Sequence, residues 1–528
     1  MKKINSTLFF FILSIFIDKI TSLRDEPTEI TLEKSKSGNP MLGFDKDGNI
    51  LYGGDPSILV DGDTVYAYVG HDTSTEENYY MPDWQCYSSK NMKEWKYEGQ
   101  ILSSSEIGWA NDKFSSWAGQ VVKYHDKYYF YYCTELKSSL GGGKSIGVAV
   151  SDSPTGKFVD IGKPLVKNSD TYNGSVPYED IDPTFWIETD ENGEEHRILG
   201  WGNDRFFNCE LNEDMISIKI KDGDESKISA EKASVKADAD IKVGVISGIP
   251  VGHHYSEAPY YYKHKLANGS IRYYMFFAYD WREQMAYAYC DSLKDFLNNE
   301  WTFGGVIMEP SATSNTNHMA VFDFKGHTYF VYHDGSLPHG SGYRRVACVE
   351  EFNINDDGSI SHIKKTAIGL TGTLSQITDA NGYYIFVELF ENSLNDKDYP
   401  MIDKKIMIDI SNGEESEWEI NPGKSDKNVD AYISIESNLK PGMYITVGKK
   451  ISDGVYDVVL SQDVNGTQDE AKSMTFRTLL GFTGKGVTFE SVLYPGHYLA
   501  SHNKEFILTS KPTDEEATFN VKALNKDK

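Results

Sequence analysis

One strand pattern recurs five times along this chain, and any fold it adopts has to place all five copies. The copies are Val65-Tyr-Ala-Tyr68, Tyr128-Tyr-Phe-Tyr-Tyr132, Arg197-Ile-Leu-Gly-Trp201, Tyr273-Tyr-Met-Phe-Phe277 and Thr328-Tyr-Phe-Val-Tyr332, starting 63, 69, 76 and 55 residues apart. Turn residues precede several of them, as in Asp61-Gly62-Asp63, His125-Asp126-Lys127 and Lys325-Gly326. Few intervening stretches have a helical period, and each interval holds about four short strands. Such a unit is a propeller blade, so the pattern predicts an all-β, five-bladed β-propeller over residues 36–369. Composition agrees, with 13% aromatic and 39% hydrophobic residues supplying strand formers and core.

A second register runs inside the first. Ahead of each aromatic strand stands a short segment with an unusual head residue: Asp55-Pro56, Trp117-Ala118, Asp182-Pro183, Glu257-Ala258 and His318-Met319. The first strand of each blade lines the central axis, so these five heads converge on one point. Three of them are carboxylates. Singly, an Asp-Pro is also a turn signal. Three acids at matching places in a repeat predict a site.

Clustered carboxylates suit two chemistries. Glycosidic bonds are cleaved by a carboxyl that protonates the leaving oxygen and a second that activates water or attacks. Like charges held together keep one carboxyl protonated near neutral pH. Calcium coordination is the other use, although no Asp-x-Asp-x-Asp loop surrounds these positions. The charge balance narrows the partners further. With 52 Lys+Arg against 79 Asp+Glu the net charge is −27, which repels nucleic acid and anionic membrane surfaces. Neutral polysaccharide carries no such penalty, and the same charge would keep a secreted protein soluble.

The order of motifs resembles glycoside hydrolase family 43, especially its arabinoxylan arabinofuranohydrolase branch. The matching segments are Gly54-Asp-Pro-Ser-Ile58, Ile146 to Gly156, Ile181-Asp-Pro-Thr-Phe185, Leu211-Asn-Glu-Asp-Met-Ile216, Ser256-Glu-Ala-Pro259, Asn317-His318, Tyr343-Arg-Arg-Val346 and Asp356-Asp-Gly358. They run in unbroken order from about Asn39 to about Gly369. The resemblance implies an inverting mechanism with Asp55 as general base, Glu257 as general acid and Asp182 tuning Glu257. It places His318 on the axis near a calcium ion or a bound water; a hydrogen-bonded core histidine is the alternative. No cofactor is required, and a structural calcium near His318 is the one metal expected. Arg344 matches the arginine that reaches the sugar, with the adjacent Arg345 leaving the register ambiguous. Trp117 matches an aromatic wall of the −1 subsite, where a bare tryptophan would otherwise be core. Two departures stand out: the long polar stretch from Asp214 to Pro250, and Glu-Ala-Pro where related sequences often carry Glu-Gly-Pro.

Gly141-Gly-Gly-Lys-Ser145 lacks the strand-loop-helix context of a phosphate loop. His253-His254 lacks a third ligand at metal spacing. The five cysteines (Cys86, Cys133, Cys209, Cys290 and Cys348) lie far apart with no CxxC and read as buried small hydrophobes.

Both ends of the chain carry separate signals. Met1-Lys2-Lys3 followed by an apolar run from Leu8 to Ile17, broken by Ser14, reads as a signal peptide over residues 1–22. Sequons at Asn173, Asn268 and Asn465 accord with secretion. Residues 370–428 read as a β-rich connecting segment, and 429–528 as a β-trefoil-like domain. There Ile433-Ser-Ile-Glu-Ser437 with Pro441-Gly-Met-Tyr-Ile445 repeats, 54 residues on, as Val487-Thr-Phe-Glu-Ser491 with Pro495-Gly-His-Tyr-Leu499. The repeat resembles lobes of the arabinose-binding domain attached to arabinofuranosidases, with the preceding segment as candidate for a degenerate third lobe. Its role is sugar binding or bracing of the propeller.

These readings together predict a secreted, monomeric, exo-acting α-L-arabinofuranosidase. Its partner would be plant cell-wall polysaccharide, as arabinoxylan or arabino-oligosaccharides, with no nucleic acid and no membrane once the signal is removed. The alternatives are a β-D-xylosidase of the same fold and a catalytically silent carbohydrate-binding protein.

Overall fold

A computed structural model describes residues 27–35, 38–111, 114–171, 179–220, 240–387, 404–409 and 413–524. The signal-peptide reading, the Asn173 sequon and the middle of the Asp214–Pro250 stretch fall outside these residues. Among the described residues no helix is long and apolar enough to cross a membrane.

Five antiparallel blades form the first body. Blade 1 runs from Gly53–Asp61 through Thr64–His71 and Asp83–Ser89 to Lys96–Ser103, and blade 2 from Gly119–Tyr124 to Val159–Asp160. Blade 3 starts at Thr184–Thr189 and blade 4 at Tyr255–Lys265; blade 5 has three strands, beginning at Ala320–Phe324. Blade 4 gains a fifth strand, Val245–Ser247, parallel to its outer Glu300–Met308. Each predicted aromatic strand is the second strand of its blade. These strands read as continuous rather than alternating apolar runs because each blade is covered on both faces: Tyr131, Tyr132, Phe276, Phe330 and Tyr332 are fully buried. The first strands contact one another in a closed ring, blade 1 to 2, 2 to 3, 3 to 4, 4 to 5 and 5 to 1. Blade 5 is closed by the chain's own early residues, where Met41 N–H donates to Ala347 O at 2.9 Å and Gly53 N–H to Arg345 O at 2.7 Å.

Residues 374–524 form a second body, a single 12-stranded sheet with its own core. The segment read as a connector belongs to it: Leu374–Asp379 pairs with Glu417–Pro422 and with Phe519–Leu524. It supplies the missing first lobe. Trp418, Phe476 and Phe519 are the matching unexposed aromatics of three lobes, and Ile385, Ile445 and Leu499 the matching aliphatics. The duplicated glutamates explain the Pro-Gly turns: Glu436 accepts Gly442 N–H at 2.6 Å, and Glu490 accepts Gly496 N–H at 2.8 Å. In the first lobe Asp379 does this work, accepting from Asn381 and Tyr383 N–H at 2.9 and 3.0 Å.

The two bodies are hydrogen-bonded through Gln462, whose amide donates to Gly335 O and Gly340 O at 2.8 and 2.9 Å. Residues 28–35 run as a strap along the second body before the propeller begins. Leu480 N–H donates to Thr28 O at 2.7 Å, and Ser35 N–H to Ile420 O at 2.7 Å. All five cysteines are buried and free, as their spacing implied.

Candidate active site

The axial heads converge, and the backbone aims them. Asp55 (φ 53°) and Asp182 (φ 59°) both adopt left-handed geometry immediately before a proline. Residues 55 and 56 form a bulge in the first strand of blade 1, and 258 and 259 form the matching bulge in blade 4. A bulge re-aims a side chain out of the regular strand alternation. In blade 4 the left-handed residue is Ala258 (φ 58°), so Glu257 stands one residue earlier than Asp55 and Asp182 do in their blades. That offset corrects the strict equivalence expected from the sequence. It also explains the preference for glycine after this glutamate, since a β-carbon is strained there.

Asp55 is met by three groups. Arg345 Nη1 donates to its Oδ1 at 2.7 Å, and the imidazoles of His333 and His318 stand 3.6 and 3.7 Å from the same oxygen. The backbone N–H of Asp55 donates to His333 Nδ1 at 3.1 Å, while His333 Nε2 lies 2.9 Å from Thr316 O. These contacts fix a neutral imidazole with its proton on Nε2, in keeping with burial holding His333 well below its ordinary pKa. Burial alone would raise the Asp55 carboxyl, but Arg345 above all outweighs it, so the group stays below the usual carboxylate range.

The axial guanidinium is Arg345, not Arg344. Arg344 turns away, donating from Nη1 to Ser74 O at 3.1 Å and from Nε to His339 O. Arg345 is 3% exposed and also clamps Asp72, with Nε and Nη2 at 2.9 and 3.0 Å. Gly54 makes this possible, because a β-carbon there would lie 2.3 Å from the guanidinium carbon.

Glu257 and Asp182 face the opposite electrostatics. Burial raises the Glu257 carboxyl and the Asp55 charge raises it further; Asn203 Nδ2 donates to its Oε2 at 2.5 Å. Burial, then the charges of Glu257 and Asp55, hold Asp182 well above its ordinary value. Asp182 Oδ2 accepts the N–H of Ala258 at 3.0 Å, which ties it to the residue beside Glu257.

Trp117 joins an aromatic wall. Its ring lies 6.2 Å from Tyr79, edge-on, and Tyr79 lies 4.8 Å from Tyr343. Lys144 Nζ sits 3.6 Å over the Trp117 ring, and the buried indole N–H has no hydrogen-bond partner.

His318 is 7% exposed, and burial lowers its pKa to about 4. The residues around it do not make a calcium site: a hard dication takes six to eight oxygens, and the carboxylate beside it, Asp55, is already paired with Arg345. Among the described residues His318 belongs to no group of three ligand atoms close enough to share an ion.

Five members of the site were not read from the sequence: Asp72, Tyr79, Asn203, Glu283 and His333. They lie outside the repeated axial segments, so no repeat marks them. Only their nearness to strand ends (His71, Trp201, Tyr279) could have drawn attention.

Comparison with known proteins now bears on this geometry. Residues 51–360 match glycosyl hydrolases family 43, and residues 394–523 match the alpha-L-arabinofuranosidase B (ABFB) domain. A xylosidase/arabinosidase of Bacteroides ovatus is 27% identical over 334 residues, covering 59% of this chain and 95% of that protein. An arabinoxylan arabinofuranohydrolase of Paenibacillus polymyxa is 27% identical over 364 residues, covering 63% of this chain and 52% of that protein. A solved β-xylosidase/α-arabinofuranosidase from a compost metagenome aligns with TM-score 0.49 and 24% identity, over 63% of this chain and 98% of its own. The family match spans more than half of the sequence. The chain belongs to glycosyl hydrolases family 43.

Proposed function

We propose that this family 43 glycoside hydrolase is a secreted, inverting, exo-acting α-L-arabinofuranosidase that removes arabinose side chains from arabinoxylan. One observation carries the reading: two carboxyls at one axis have environments that push their pKa values apart. Arg345 holds Asp55 ionised, whereas burial and the Asp55 charge favour the protonated form of Glu257. Such a split supports Asp55 as base and Glu257 as acid.

Asp55 accepts a proton from water as its oxygen attacks the anomeric carbon. Glu257 gives its proton to the departing glycosidic oxygen, so the leaving sugar alcohol is neutral and both carboxyls have exchanged protonation states. Asp182, anchored on Ala258 N–H, opposes early ionisation of Glu257 and orients the sugar. Trp117, Tyr79 and Tyr343 offer apolar faces for sugar C–H groups to pack on.

The match of residues 394–523 to an arabinofuranosidase-associated domain favours arabinose, and the 12-stranded body would hold decorated chains near the propeller. A second reading, β-D-xylosidase, draws on relatives named for both sugars. Chromatography of products from arabinoxylan and xylo-oligosaccharides separates them. Arabinose as main product is expected; xylose moves the protein to the second reading, and release of neither supports a silent binding protein. Proton NMR of the first-formed sugar should show inverted configuration, and retention would remove Asp55 from the role of base.

A further inference from the structure

The turn at residues 202–206 joins the second and third strands of blade 3, and the reaction just described gives it no part. It is tied on both sides to segments that carry axial acids. Gly202 N–H donates to Ile181 O at 3.0 Å and Asn203 N–H to Glu179 O at 3.1 Å, on the segment that leads into Asp182. Asp204 N–H donates to Ser256 O at 2.7 Å and the Tyr255 hydroxyl to Gly202 O at 2.8 Å, on the segment that leads into Glu257. Glycine is required at the first position, where a β-carbon would lie 2.1 Å from Arg205 O.

A two-pronged ion pair holds the far end of the turn. Arg205 Nε and Nη2 meet the two oxygens of Glu179 at 2.6 and 2.7 Å, and Nη2 also donates to Thr171 O at 2.8 Å. Glu179 is fully buried. So fixed, the turn presents Asn203 to the site, and its Nδ2 donates to Glu257 Oε2 at 2.5 Å.

Because Oε2 already receives a hydrogen from Asn203, the proton that Glu257 gives away belongs on Oε1. When that proton leaves, Oε2 shares the new negative charge, and a hydrogen bond to an ionised group is about twice as strong as one to a neutral group. The contact thus strengthens in the step that Glu257 performs, which is the condition for lowering a barrier. We propose that Asn203 is a positioning residue of the general acid: held by the Arg205–Glu179 pair, it directs the proton of Glu257 to Oε1 and stabilises the carboxylate left behind.

The surroundings give this contact work to do. Burial first and the Asp55 charge second oppose ionisation of Glu257, and the bond from Asn203 favours it. Glu283 and Arg345 act in the same direction as Asn203, although Arg345 is already engaged with Asp55 and Asp72. Asp182 and the phenols of Tyr79 and Tyr255 also stand near Glu257, and burial keeps both phenols neutral.

This role rests on Glu257 being the general acid, and the test separates the two. Asn203→Ala removes the donor, so the acid holds its proton more tightly. The alkaline limb of kcat/KM against pH should move to higher pH, while the acidic limb, set by Asp55, stays. On an arabinoxylan oligosaccharide kcat should fall about 10-fold or more, the size of a lost hydrogen bond to a charged group, with KM little changed. The loss on a nitrophenyl arabinoside should be far smaller, because its leaving group departs without a proton. Asn203→Asp keeps the shape but replaces the donor by an acceptor, and should move the limb the same way even if the alanine variant does not fold. Arg205→Lys keeps the charge facing Glu179 without the two-pronged grip, and should reproduce the pattern in weaker form. An unmoved limb there would remove the ion pair from the device. A purely structural role would lower both substrates together and leave the limb in place, and that result in a folded Asn203 variant overturns the proposal. Glu257→Gln serves as control. If it keeps its selectivity for the aryl substrate while the Asn203 variants leave the limb in place, only the role of Asn203 fails. Loss of that selectivity brings down the acid assignment itself.

Discussion

Of the buried acids among the described residues, those on the propeller axis and the Glu419–Glu436 pair on adjacent strands of the 12-stranded body make the most instructive contrast. Glu419 is pushed up to about 8 by burial and by Glu436, and Glu436 up to about 7 by burial. By pKa alone this pair resembles Glu257 and Asp182. The surroundings differ. Glu436 has its oxygens taken by Gly442 N–H at 2.6 Å and by Asn421 at 2.7 Å, and Glu419 Oε1 by Ser35. Both lie on regular strand backbone, Glu419↔Glu436 being direct cross-strand partners. The axial acids sit at or beside left-handed bulge residues, face an aromatic wall, and are split by a guanidinium that holds one of them ionised. A raised pKa therefore marks buried like charge, whereas function needs an oppositely shifted partner as well.

The sharpest way to break this contrast is to remove each axial acid in turn. Asp55→Asn should lose about 10²–10⁴ in rate on arabinoxylan and on a nitrophenyl arabinoside alike, because water must be activated whatever leaves. Glu257→Gln should lose about as much on arabinoxylan but far less on the aryl substrate, whose leaving group departs without a proton. Initial rates of both variants on both substrates decide it, and the opposite pattern would exchange the two roles.

Arg345 tests the splitting charge. Arg345→Lys keeps the cation but cannot span Asp55 and Asp72 together. With less compensation the Asp55 carboxyl rises, so the acidic limb of kcat/KM should move to higher pH. Stability should fall too, towards the about 3–5 kcal/mol that follows when a buried ion pair loses a partner outright. Arg344→Lys should move neither quantity, and equal effects at both positions would undo the assignment of Arg345 to the axis.

The smallest effect is expected from the sealed pair. Glu419 has a folded-state pKa of about 8 against an ordinary 4.5, so the folded chain binds the extra proton between those values. Its contribution to stability is complete below pH about 4.5 and is lost as pH rises through about 8, with a slope of at most about 1.4 kcal/mol per pH unit. Thermal or denaturant unfolding of Glu419→Gln should show a flatter decline between pH 5 and 8, with kcat on the aryl arabinoside unchanged. A slope equal to that of the wild type would show that Glu419 titrates normally.

Much of this was legible in the sequence, for physical reasons. Blades covered on both faces leave unbroken aromatic strands, so the fivefold repeat is visible without coordinates. Asp55 and Asp182 show through because a left-handed residue before proline is an unusual signal, and Glu257 because Ala-Pro repeats it one residue on. Arg345 could not be told from Arg344, since adjacent residues on an irregular segment differ only in which way the backbone turns them. Asn203 comes from an inter-strand turn, and its role exists only through a partner 54 residues away, Glu257. The first lobe of the 12-stranded body hid because Asn-Gly replaces Pro-Gly and follows its acid, Asp379, almost at once.

The strap at residues 28–35 has a consequence in time. Its partners, Ile420, Thr478 and Leu480, are made hundreds of residues later, as in the Thr478 hydroxyl bond to Ile30 O across 448 positions. Contacts so distant along the chain close late and slowly, because the intervening loop must be ordered before they return any free energy. During synthesis the propeller can assemble blade by blade while residues 28–35 wait unpaired. The strap that covers Glu419 with Ser35 is thus among the last contacts of the molecule to be completed. Until the final lobe leaves the ribosome, residues 28–35 remain open to proteases and to chance partners.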